Sequence, residues 1–176
     1  MLFYFSYCKS KRICIFESVQ NKRIYKISEA KERIKNYCAL QDRCQWDVRQ
    51  KLSEWGLLEN TKNIIMKELI NDSFIDEERY ARSFCRGKFR IKKWGRRKIE
   101  FELKKKNISS VCIKKGMEEI EMDEYLKELE NQAEKKNNLI KDKNHFKRKS
   151  KLAKYLTNRG FENNLVWEKI KEIYNK

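Results

Sequence analysis

The chain has 176 residues, 39% of them charged, and Lys and Arg (43) outnumber Asp and Glu (26), for a net charge of +17. No run of 18 apolar residues occurs, which excludes a long apolar membrane-spanning helix. Proline is absent and only five glycines are present, which argues against a proline-rich linker or a loop-rich β-fold. Six cysteines, one histidine and no C-x-x-C argue against a zinc site.

Residues 1–27 hold two short apolar runs, Leu2-Phe3-Tyr4-Phe5 and Ile13-Cys14-Ile15-Phe16, broken by Lys9, Lys11 and Arg12. The order of a signal peptide is missing, so the stretch reads as a poorly ordered arm, or at best a β-prone hairpin. Helices are then predicted over 29–41, 76–92 and 123–140. Their inward residues are Ala30, Ile34, Tyr37 and Cys38; Tyr80, Ala81, Phe84 and Cys85; and Leu126, Leu129 and Ala133. Several cysteines fall among apolar neighbours on these helices, which fits buried, reduced thiols in a cytoplasmic protein.

Each of these helices is followed by a repeated pattern. Gly56, Asn107 and Gly160 align, 51 and 53 residues apart. Eight residues earlier stand Val48, Ile99 and Leu152, and four earlier Leu52, Leu103 and Leu156. One later come Leu57, Ile108 and Phe161. Met66, Met117 and Ile170, then Leu69, Ile120 and Ile173, complete the apolar columns. The two earlier columns share one helix face. Gly or Asn at the aligned position suits a left-handed residue that ends that helix, and the next residue folds back onto it. The pairs Glu59-Asn60, Ser109-Ser110 and Asn163-Asn164 follow, with Asn and Ser as N-caps of a further helix. The expected fold is all-α, an elongated, curved tandem array of three three-helix repeats at 28–75, 76–122 and 123–176, with the arm at 1–27. Modules this small bury little surface alone and lean on their neighbours.

Charge is uneven along the array. Residues 1–27 carry +5, 28–79 carry −2, 80–122 carry +9 and 123–176 carry +5. An AT-rich codon bias would enrich lysine without concentrating it in this way. Residues 80–106 hold twelve basic groups against Glu100 and Glu102. Arg82, Arg86 and Arg90 repeat at i, i+4, where like charges repel, so an anionic partner is expected for that face. A second basic cluster spans residues 141–159. Trp94 beside Gly95 reads as packing under a turn rather than as a base-stacking platform. Asp76, Glu77 and Glu78 read as helix N-terminal acids, with Asp76 as the cap, rather than as metal-binding carboxylates. His145 lacks an acid or Cys partner, and no phosphate-binding loop or hydrolase motif is present.

The second repeat contains Asp76-Glu77-Glu78-Arg79-Tyr80-Ala81, then Trp94-Gly95-Arg96-Arg97-Lys98-Ile99 with Leu103 and Lys106-Asn107-Ile108. It resembles the RecX family, bacterial regulators of the RecA recombinase. The first repeat agrees at Asp47-Val48, Lys51-Leu52 and Trp55-Gly56-Leu57. The third agrees at Lys151-Leu152, Leu156 and Arg159-Gly160-Phe161. The resemblance covers about residues 28–175. Asn107 stands where the family has Gly, Glu77 stands in the acidic pair, and the arm has no counterpart.

The resemblance implies a non-enzymatic protein without cofactor or metal that lies in the groove of RecA–DNA filaments. There it would reduce ATP hydrolysis, strand exchange or filament growth. The implied partners are the RecA filament and single- and double-stranded DNA, contacted through phosphates by a monomer with no membrane attachment. The basic face expected to make those contacts comprises Arg82, Arg86, Arg90, Lys92, Lys93, Arg96, Arg97, Lys98, Lys104, Lys105, Lys147, Arg148, Lys151 and Lys154. The rival readings are a general DNA-binding helical protein acting without RecA and a metal-dependent nuclease using Asp76 or Glu77. Gly160→Val is expected to destabilise the third repeat by roughly 1 kcal/mol or more, through the left-handed conformation forced on it. Unchanged thermal stability would refute that reading.

Overall fold

In the computed structural model, residues 26–174 are described, and the predicted arm at 1–27 lies almost wholly outside them. Among the described residues there are nine helices and no strand. They are α1 (Ile27–Leu40), α2 (Gln45–Glu54), α3 (Glu59–Asn71), α4 (Glu77–Arg90), α5 (Arg96–Lys105), α6 (Ser110–Met117), α7 (Met122–Leu139), α8 (His145–Arg159) and α9 (Asn163–Tyr174). The helices pack within successive threes, α1–α3, α4–α6 and α7–α9.

The second helix of each module forms for the reason its apolar spacing suggests. Val48 and Leu52, Ile99 and Leu103, and Leu152 and Leu156 are all fully buried. Each of these helices then ends in the same way. Gly56, Asn107 and Gly160 have φ of 78°, 60° and 94°. The next amide N–H reaches back to the helix: Leu57 to the Leu52 carbonyl, Ile108 to Leu103 and Phe161 to Leu156, each at 3.2 Å. Gly56, Asn107 and Gly160 donate in turn to Ser53, Lys104 and Thr157. This paired closure satisfies carbonyls that a helix C-terminus leaves free and tucks the following apolar residue onto the helix.

Three local expectations are corrected. Leu126 is 39% exposed, and its neighbour Tyr125 is buried instead. The inward row of α7 includes Glu128 and Gln132, which hid its period. Gln132 donates to Glu128 at 2.7 Å and accepts from the Tyr155 hydroxyl at 2.8 Å, so both polar groups are buried with partners. Of the expected polar N-caps, Ser109 accepts from the Cys112 amide, whereas α3 follows Leu58 with no side-chain cap. The Asn163 side chain meets Thr157 instead.

The core is divided unequally. Ile34, Cys38, Val48, Leu52, Ile65, Met66, Leu69 and Ile75 form one cluster in the first module. A second, larger cluster runs without a break through α4–α9. Tyr125 bridges its two halves, with ring centroids 5.9 Å from Phe89 and 5.3 Å from Phe161.

At that junction backbone meets backbone. The Gly95 amide donates to the Arg159 carbonyl at 2.9 Å and the Arg97 amide to the Gly160 carbonyl at 3.0 Å. The Arg96 amide donates to the Tyr125 hydroxyl at 3.1 Å. The free N–H groups that open α5 are thus satisfied by the end of α8, where the helix dipole supplies negative charge. The approach is so close that a Cβ on Gly95 would lie 2.2 Å from the Gly160 carbonyl carbon, and one on Gly160 would lie 2.3 Å from the Lys98 Cβ. Gly160 is therefore required twice, by its φ and by its neighbour.

The first junction uses the corresponding positions with different residues. Cys44 stands where Gly95 does, and Asn107 where Gly160 does. No backbone hydrogen bond crosses between the first and second modules among the described residues. Side chains join them: Lys106 to Asp47 at 2.5 Å, Arg79 to Asp42 at 2.9 Å, and buried Cys44 packed in the second module's core.

Gly56 and Gly95 separate the two demands. A Cβ on Gly56 meets nothing within 4 Å, so Gly56→Ala should cost only the left-handed penalty, about 1 kcal/mol. Gly95 has an ordinary φ of −74°, so Gly95→Ala should cost only the steric term, about 2–3 kcal/mol for forced overpacking. Urea unfolding measures both, and a Gly95 variant as stable as the parent would refute the backbone junction.

Candidate nucleic-acid interface

Most cations of the expected basic face are engaged within the fold. Arg82 contacts Glu119 at 2.9 Å, Glu78 at 3.2 Å and Glu118 at 3.8 Å. Arg86 contacts Glu119 at 3.0 Å and Arg90 contacts Glu124 at 3.6 Å. The i, i+4 series on α4 is therefore not an uncompensated row of like charge. Acids following α6 and opening α7 face it and offset the repulsion. Lys93 meets Glu128, Lys104 meets Glu100 and Lys151 meets Asp142.

Two arginines hold the backbone or its neighbours. The Arg96 guanidinium lies 4.5 Å from the Tyr125 ring centroid and donates to the Ile120 carbonyl at 2.7 Å. Arg148 donates to the Asn137 side chain at 3.2 Å. Lys98 lies over Trp94, 4.5 Å from its centroid. Trp94 is partly buried against the core, as expected of a packing residue.

Five of the expected residues remain exposed with no carboxylate within ion-pair distance among the described residues: Lys92, Arg97, Lys105, Lys147 and Lys154. Arg97 and Lys105 lie on α5, Lys147 and Lys154 on α8, and these two helices meet end to end at Gly95 and Gly160. Lys92 stands beside the same joint, where its carbonyl accepts from Arg159 at 2.8 Å. Two backbone hydrogen bonds thus join the two basic helices, well separated in sequence, with Lys92 and Arg97 beside the joint and Lys105 and Lys147 toward the far ends of their helices.

The acidic trio takes its structural roles. The Asp76 side chain accepts from the Arg79 amide at 3.0 Å. Glu78 pairs with Lys115 and Arg82, which hold its carboxyl below the usual glutamate range. Glu77 is shifted the other way by burial. Among the described residues no group of three or more His, Cys, Asp or Glu side chains is placed to hold a metal ion. No helix among them is long and apolar enough to cross a membrane. Cys38, Cys44 and Cys85 are buried free thiols, and burial pushes Cys85 up to about 12.

Family models describing the second and third three-helix domains of RecX match residues 76–117 and 123–170. The regulatory protein RecX of Clostridium acetobutylicum is 30% identical over 151 residues, covering 84% of this chain and 70% of that protein. The chain belongs to the RecX family. The RecX regulatory protein of Prosthecochloris aestuarii is 26% identical over 145 residues, covering 82% of this chain and 93% of that protein. A crystal structure of a regulatory protein RecX superposes with a TM-score of 0.75 at 25% identity, covering 83% of this chain and 73% of that one. RecX from Lactobacillus salivarius shares the fold, with a TM-score of 0.72 at 23% identity over 85% of this chain and 97% of that one.

Glu119 tests the compensated row. Hydrogen bonds from Arg82 and Arg86 hold its carboxyl below the ordinary glutamate value. A folded-state pKa below the unfolded one adds stability above the unfolded value, and that stability is lost as pH falls through the folded one. Glu119→Gln should lower the melting temperature at neutral pH, and the difference should vanish below the carboxylate range. A deficit independent of pH would contradict the pairing.

Proposed function

We propose that this RecX-family regulator binds RecA–DNA filaments and reduces RecA ATP hydrolysis, strand exchange and filament growth. The observation that supports the reading best is the set of exposed, unpaired cations carried by α5 and α8, two helices joined end to end at Gly95 and Gly160. Those cations suit phosphates and an acidic protein surface alike. In the proposed division, repeats at 28–75, 76–122 and 123–176 form an elongated, curved array. Such an array spans successive RecA subunits in the filament groove and hinders their cycling between nucleotide states. The protein acts as a cytoplasmic monomer and catalyses no reaction.

The exposed cations also favour a second reading, a general DNA-binding protein that acts without RecA. The two separate in a RecA ATPase assay on single-stranded DNA, with this protein below one copy per RecA and salt set so that its own DNA binding is weak. The wild-type protein should inhibit. Arg97→Glu with Lys105→Glu and Lys154→Glu should weaken inhibition at least tenfold with little change in melting temperature. Arg96→Ala should instead lower the melting temperature, because it removes the hydrogen bond to Ile120. No inhibition by the wild type, together with tight salt-sensitive DNA binding, would select the second reading.

A further inference from the structure

The junction between the first and second modules contains an open cleft of about 330 Å³, within the range of small-ligand sites, roughly 300–1,000 Å³. The α1–α2 loop forms one wall, with Arg43. α4 and the residues just after it form the other, with Phe84, Gly87, Lys88 and Lys92. Both acids on the lining already have partners: Asp42 is bound to Arg79 and Asp47 to Lys106. The remaining lining cations, Arg43, Lys88 and Lys92, have no carboxylate within ion-pair distance among the described residues.

These cations sit among rings. The Arg43 guanidinium lies 4.1 Å from the Tyr37 centroid, and its Nε is shut from solvent without a hydrogen-bond partner. Lys88 Nζ lies 5.0 Å from the Phe84 centroid. Gly87 adds an independent sign. It sits inside α4, where glycine costs roughly 0.5–1 kcal/mol relative to alanine. A Cβ there would meet nothing within 4 Å, so packing does not call for it. Packing does account for the glycine in α6, because a Cβ on Gly116 would lie 2.9 Å from the Ala81 carbonyl oxygen. Gly87 bares the α4 backbone to the cleft and leaves it a flat wall.

We infer that this cleft binds one nucleotide unit of single-stranded DNA. Its phosphate would lie between Arg43 and the Lys88–Lys92 edge, and its base against Gly87 and Phe84. Cations that track a backbone beside an aromatic face are the means by which single strands are held without sequence preference. An acidic side chain would use the cations but not the face of Phe84. The inference rests on the DNA-contacting part of the proposed function and assigns it a place. Since the walls belong to different modules, a bound strand would bridge the one junction that backbone bonds do not close.

The test uses the full chain, a fluorescein-labelled oligothymidine and anisotropy without RecA. Gly87→Leu fills the cleft with a good helix former, so the melting temperature should hold or rise while affinity falls at least fivefold. On an abasic strand of the same length the variant should lose much less. Arg43→Gln with Lys92→Gln should reduce the log–log salt slope by about 0.7, for the one phosphate no longer neutralised. Wild-type affinity and slope in these variants, or no binding of the strand by the parent, would overturn the inference. So would a labelled oligoglutamate peptide that binds more tightly than the strand and is lost in Gly87→Leu. RecA inhibition, assayed on the same proteins, is a separate readout. Loss of strand binding in Gly87→Leu with no inhibition by the parent would keep the cleft and refute the filament reading, and inhibition with unaltered strand binding would do the reverse.

Discussion

The structure depends on how one helix end is closed. A left-handed residue after the second helix of each module returns the chain onto that helix. In the third module the same turn is also the docking element. Gly160 exposes its carbonyl and that of Arg159 to the first amides of α5. A helix C-terminus lacks donors and a helix N-terminus lacks acceptors, so each end supplies what the other needs. The joint requires two glycines, because a Cβ on either side would fall inside the other segment. Once it forms, Tyr125 is enclosed between Phe89 and Phe161, and two modules share one core.

The first junction shows the same repeat without that closeness. Cys44 and Asn107 occupy the glycine positions, and an ion pair between Asp47 and Lys106 takes over from the backbone bonds. The partners are largely buried, so salt screens this pair much less than an exposed one. One array thus contains a joint closed by main chain and a joint held by side chains, with a cation-lined cleft beside the second.

Charge follows from this packing. Among the 14 basic residues expected to bind a partner, the acids after α6 and at the start of α7 neutralise those on α4, and Arg96 and Arg148 hold a carbonyl and a side-chain amide. Of the exposed remainder, Arg97, Lys105, Lys147 and Lys154 lie on α5 and α8, and Lys92 lies between α4 and α5. A net charge of +17 therefore overstates the cationic surface on offer, and what is left is carried mainly by two helices joined end to end.

Much of the architecture was legible from the chain alone. The three aligned turns, the two buried columns before each and the cap at Asp76 follow from local rules of spacing and backbone preference, which act within a few residues. The resemblance to RecX was carried by those same positions. Other features depended on residues distant in sequence. Leu126 yielded to Tyr125 because buried Glu128 and Gln132 masked the apolar period of α7. Arg82, Arg86 and Arg90 looked unpaired because Glu119 and Glu124, which face them, lie beyond α6 or at the start of α7. Arg43 gave no signal, since its place in the cleft depends on how two modules meet. The sequence by itself determined the helices, their turns and the repeat, because helix periodicity and left-handed closure are short-range. Only the tertiary structure decided which charges remain free and which junction is tight, because ion pairing and backbone approach depend on distances that no local pattern encodes.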